Sequence, residues 1–131
     1  MRQDVYSGCL KVFGGNERTL VAASNLASSL LSLQRFEEAQ SLMRKSIPVA
    51  RRVFGSSNEV TLGMRINHAR ALYENSAATV GDLREAMRTV EETDRVVRHV
   101  LGDAHPLATT IELDLRHVRA ALRAHKTPSA S

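Results

Sequence analysis

The sequence predicts an all-α chain, an α-α superhelix of about six antiparallel helices. Three observations predict it. Val12-Phe13-Gly14, Val53-Phe54-Gly55 and Val100-Leu101-Gly102 recur, with 41 residues from Phe13 to Phe54 and 47 from Phe54 to Leu101. Within each unit the apolar residues step by three and four, the period of one helix face. Turn signals divide each unit into two such stretches. A unit of this kind buries its apolar face only by stacking on its neighbours. The 131 residues suffice for one domain. The expected organisation is a helical repeat domain over 1–125 and a disordered tail over 126–131.

The helices are expected near 2–13, 17–33, 36–54, 57–74, 81–101 and 105–124. The third carries the stripe Phe36, Ala39, Met43, Ile47, Ala50 and Phe54, and Pro48 inside it predicts a kink. The fourth opens on Ser56-Ser57-Asn58-Glu59, read as a capping box with Ser56 as cap. The sixth carries Leu107, Ile111, Leu115, Val118 and Leu122, with Asp103 and Pro106 suited to its start. The glycines after the Val-Phe and Val-Leu pairs fit helix C-termini, where the backbone turns left-handed. Ala27 to Ala39 is 12 residues and Ala69 to Ala86 is 17, so the second unit holds five extra residues. They fall in the polar segment Glu74–Thr79, where a longer loop costs little entropy.

Composition narrows the function. The chain is 43% hydrophobic and 4% aromatic, which predicts an aliphatic core and excludes a disordered chain. No apolar run approaches the roughly 20 residues that span a bilayer, so no membrane partner is expected. The first residues lack the apolar stretch of a secretory signal. Cys9 is the single cysteine. A reducing compartment, the cytoplasm, fits it best. The net charge is +4, with basic residues alternating with acids, as in Glu91-Glu92-Thr93-Asp94-Arg95. Solvated helix faces explain that pattern, and no nucleic-acid partner is expected without a basic patch and stacking aromatics.

Leu101-Gly102-Asp103-Ala104-His105-Pro106, Asn25-Leu26-Ala27 and Arg35-Phe36-Glu37-Glu38-Ala39 together resemble the tetratricopeptide repeats (TPR) of the kinesin light chain type. The resemblance covers about residues 10–122 and departs in Phe36, where the family has Tyr. It implies a TPR solenoid, with two full repeats flanked by half repeats. Ala27, Ala69, Ala39 and Ala86 lie where paired helices approach closely. Arg116 holds the equivalent place in the third unit, and no paired helix follows it.

The resemblance also implies a non-enzymatic protein-binding module. A partner protein or peptide would lie on the concave face formed by the first helix of each pair. Asn25 and Asn67 stand at the same place in successive units, and Asp114 is the third member, having lost the amide donor. An asparagine can pair with both sides of a peptide bond. Two readings stand: a ladder that holds an extended ligand, or bonds between neighbouring helices. Helical spacing adds Ser28, Ser32, Arg70, Tyr73 and His117 to the groove. Arg70 is either an anchor for a partner's acid or a solvated side chain bonded to Glu74 four residues on. With Ser24, Ser28, Ile66, Thr110 and Asp114 around it, Arg70 makes a poor carboxylate clamp, so binding of chaperone-type acidic tails is not expected.

No catalytic residues, cofactor or metal site are expected. Gly14-Gly15-Asn16 lacks the Lys-Ser/Thr of a phosphate loop, and none of the five histidines has a His or Cys partner at metal-binding spacing. His68 replaces an apolar residue of the repeat and is read as a hydrogen-bonded packing residue. Two further readings are a self-associating scaffold and the repeat part of a larger signalling protein. The first rests on apolar stripes in the half repeats, Val5, Cys9 and Val12 in front and Leu107, Ile111 and Val118 behind, whose pairing gives an end-to-end homodimer.

Overall fold

A computed structural model describes residues 17–126 of the chain. The helix expected over 2–13, the glycine turn at Gly14 and the tail residues 127–131 lie outside the described residues. Five α-helices follow in order: α1 (Glu17–Ser32), α2 (Phe36–Val53), α3 (Glu59–Tyr73), α4 (Val80–Val100) and α5 (Pro106–Lys126). No strand occurs among the described residues.

Each helix packs on the next, α1 also touches α3, and α3 also touches α5, while α2 and α4 do not meet. The first helices of successive units therefore lie side by side, and the second helices form a separate row. The repeat explains this layer. Ala39, Met43, Ser46 and Ala50 on α2 correspond to Ala86, Val90, Thr93 and Val97 on α4, and all eight are fully buried. Their partners from the first helices include Ala27 and Ala69, also fully buried. Small side chains recur where helices approach closely, and larger ones fill the space between.

The middle helix, α3, has no single apolar face. Nine of its residues are buried, from Thr61 to Tyr73, because it alone touches all four other helices. It joins two core clusters. Met64 and Ala71 pack with Leu20, Leu31, Leu42 and Met43 of the first hairpin. Leu62, Ile66 and Leu72 pack with Leu83 and Val90 of α4 and Ile111 of α5, which form the second hairpin.

The helix ends correct part of the sequence reading. The cap of α3 is Asn58, not Ser56: its side chain accepts from the Val60 N–H at 2.8 Å, and the helix begins at Glu59. Asparagine is an equally good cap and stands directly before the first helical residue. His105 does the same for α5, where Nδ1 accepts from the Leu107 N–H at 3.0 Å. Thr79 and Asp82 form a reciprocal capping box at the start of α4. The α2 helix continues through Pro48 to Val53.

Gly55 and Gly102 end α2 and α4 at φ +94° and +92°, the left-handed turn that their position predicts. Gln34, at φ +61°, makes the corresponding turn after α1. A Cβ costs about 1–2 kcal/mol in that conformation. Open space surrounds Gly55 and Gly102, so a methyl group there meets only this backbone cost. Gln34→Gly is therefore expected to raise stability by about 1 kcal/mol, and Gly55→Ala to lower it by about 1–2 kcal/mol. Urea denaturation of the two variants checks both signs.

The expected apolar stripe behind α5 is corrected. Ile111 and Val118 are fully buried and Leu107 is half-buried, because α5 lies against both α3 and α4. Its exposed side carries Glu112, Leu113, Arg116, Arg119 and Arg123. Thr109, Thr110, His117, Ala120 and Ala124 are exposed beside them, so the outer side of α5 is mixed and not an apolar stripe. Val5, Cys9 and Val12 lie outside the described residues.

At the corner between α4 and α5, Arg98 bonds Asp94 at 2.9 Å, Asp103 at 3.1 Å and Glu112 at 3.0 Å. The Asp94 partner is legible as an i, i+4 pair. The other two exist only because the corner folds back.

Candidate functional site

The side-by-side packing of α1, α3 and α5 brings the three ladder positions into neighbouring helices, but their environments differ. Asn25 is exposed. It lines an open crevice of about 590 Å³ together with apolar Val21, Ala22, Phe54 and Val60 and polar Glu17, Arg18 and Asn58. Val21 remains 42% exposed. One unit further along, Glu59, Gly63, His105, Pro106, Leu107 and Thr110 line a second crevice of about 350 Å³. His105 closes its wall by facing Glu59 through Nε2 at 3.4 Å.

Asn67 is 8% exposed. Its amide nitrogen donates to the Ser24 carbonyl of α1 at 3.4 Å. Ser28 donates its hydroxyl to the same carbonyl at 3.3 Å. The second rung is thus engaged in joining α3 to α1. Ser28 and Ser32 lie exposed along α1.

The third rung is a buried cluster. Asp114 is 4% exposed. Asn67 reaches back to the preceding first helix as a donor, and an ionised carboxylate cannot do that. Asp114 instead accepts the Tyr73 hydroxyl through Oδ1. Arg70 Nε donates to Glu74 at 2.9 Å and lies 4.0 Å from Asp114 Oδ1. The His117 ring stands 6.4 Å from that of Tyr73, tilted by 52°, and is exposed. Asp114 Oδ2 is buried and has no hydrogen-bond partner.

Electrostatics follow from these distances. Burial pushes the Asp114 carboxyl above the usual range; the Tyr73 hydrogen bond and the Arg70 charge oppose the shift, and Glu74 adds to it. Burial and the bond to Asp114 push the Tyr73 hydroxyl up as well, so it stays protonated and donates. Burial works against the Arg70 charge, but Glu74 and Asp114 outweigh it and hold the guanidinium charged. Two carboxylates thus face one guanidinium.

All eight groove candidates lie on α1, α3 and α5, but they do not form one uniform surface. Asn25, Ser28, Ser32 and His117 are open to solvent, Arg70 is half-buried, and Asn67, Tyr73 and Asp114 are buried. The reading missed the Tyr73–Asp114 bond. The signal for it was present in Asp114, since a rung without a donor needs one from elsewhere. His68 faces Glu85 of α4 through Nε2 at 3.4 Å, while its Nδ1 is buried without a partner. Among the described residues no three His, Cys, Asp or Glu side chains gather as metal ligands. No helix of the described residues is long and apolar enough to cross a membrane.

The fold and its repeated ladder define a stacked α-helical repeat. Residues 19–59 match the model of the tetratricopeptide repeat family, which supports a tetratricopeptide repeat protein. Such repeats generally mediate protein–protein interaction and generally carry no catalysis of their own. No curated protein and no solved structure matches the chain.

Proposed function

We propose that this chain is a non-enzymatic interaction module that holds an extended segment of a partner protein across α1, α3 and α5. The observation that carries this reading is the exposed Asn25 at the edge of a partly apolar crevice. There an amide that pairs with a peptide backbone stands beside a seat for an apolar side chain. The motifs around Asn25, Arg35 and His105 favour a repeat of the kinesin light chain type, and the single cysteine favours a cytoplasmic setting.

The test is selection from a random peptide library displayed on phage, with the full chain as bait. The selected peptides are expected to bind in the micromolar range and to weaken by about tenfold with Asn25→Ala, the loss of roughly 1.4 kcal/mol of hydrogen bonding. Peptides that bind Asn25→Ala as well as the parent chain place the site elsewhere. Asn67→Ala is a poor probe, since it removes a bond between helices.

A further inference from the structure

We propose that the third rung of the groove, Asp114 with Tyr73 and Glu74 beside it, is a seat for a lysine or arginine side chain of the bound segment. This rests on the groove reading above and names the chemistry of its partner. The residue type changes at this rung. Asn25 and Asn67 offer both a donor and an acceptor, whereas an ionised Asp114 only accepts. A backbone ladder loses half its pairing at this rung, and a cationic donor gains.

Asp114 also leaves one bond unmade. Asp114 is nine-tenths buried, and its Oδ2 has no partner. A carboxylate oxygen in that condition is costly, and a charged donor relieves the cost better than a neutral one. Arg70 does not serve as that donor. It is held by Glu74 at 2.9 Å, on the far side of a 4.0 Å gap from Oδ1. The side chains flanking the cluster at the surface, Arg70 and His117, are partly or largely solvent-exposed. Such side chains change rotamer on fast timescales, and the bound side chain reaches Oδ2 by displacing one of them.

Charge favours the same occupant. Asp114 and Glu74 outnumber Arg70, so the cluster is left one negative charge over, in a chain whose net charge is +4. The chain as a whole repels basic peptides and this seat attracts them, so the seat fixes the register of a basic residue and disfavours an acidic one.

The same phage selection tests the seat with different variants. Peptides that depend on Asn25 are expected to carry a lysine or arginine at one fixed offset. Replacing that residue by norleucine, or the protein's Asp114→Asn, weakens binding by about tenfold or more. Both changes together weaken it no further than either alone. Glu74→Gln, which leaves the Tyr73–Asp114 bond in place, weakens the same peptides by a smaller factor. Peptides that depend on Asn25 but lack a basic residue, or bind Asp114→Asn unchanged, overturn the seat and leave the groove standing. A selection whose peptides ignore Asn25→Ala, or that yields none, overturns both.

Discussion

Leu62→Ala is expected to cost about 2–5 kcal/mol of stability, the range for a fully buried leucine whose surroundings relax only in part. Leu62 has no solvent exposure and packs with the second hairpin, on the one helix that touches all the others. The neighbouring site Met64 faces the first hairpin with no exposure either, so Met64→Ala draws on the same range. Urea denaturation checks both: the midpoint falls, and an unchanged slope shows that the chain still unfolds as one unit. A steeper loss in one hairpin, seen as two transitions, marks α3 as the seam along which the array separates. A loss below about 0.5 kcal/mol, the surface range, contradicts the burial.

The Tyr73–Asp114 pair carries the other large effect. Tyr73→Phe leaves a buried carboxylate oxygen without its donor, which costs about 1.5–3 kcal/mol where Asp114 is ionised. Asp114→Ala leaves the Tyr73 hydroxyl without an acceptor and costs about 1–3 kcal/mol. Asp114→Asn keeps an acceptor for that hydroxyl and removes a buried charge.

The pH dependence has a definite sign. The folded-state value of Asp114 lies above the unfolded value of 3.8. Its protonated form therefore supports the folded state below that pH. As pH rises, the unfolded chain releases the proton first, and stability falls until the pH passes the folded value. Asp114→Asn lacks this fall. The stability of the variant minus that of the parent is thus expected to rise with pH above about 4 and then level off. Urea midpoints of the two proteins across about pH 4 to 7 measure it; a difference that stays flat or falls contradicts the raised carboxyl.

Much of the fold was legible before the structure. Helical periodicity placed α2 and α5, because a stripe such as Ala39, Met43 and Ala50 has only one face to bury, whereas α3, with no single apolar face, was legible from its start signal and its place in the repeat. Left-handed turns at Gly55 and Gly102 were legible because few other residues adopt them without cost. The cap of α3 was misread by two residues. Ser56, Ser57 and Asn58 are all competent caps, and only the path of the chain selects among them. The stripe of α5 was right in spacing and wrong in exposure, since periodicity reports a face but not what covers it.

The candidate site divides the same way. The sequence by itself determined the repeat, the helices and the register that aligns Asn25, Asn67 and Asp114, all of which depend on spacing along the chain. The tertiary structure decided what each rung does. Asn25 stays open to solvent on α1, Asn67 is engaged by a carbonyl 43 residues away, and Asp114 is enclosed by a tyrosine 41 residues before it. Hydrogen bonds between helices depend on distances that no local pattern encodes, so equivalent positions in a repeat take on unequal chemistry once the helices stack.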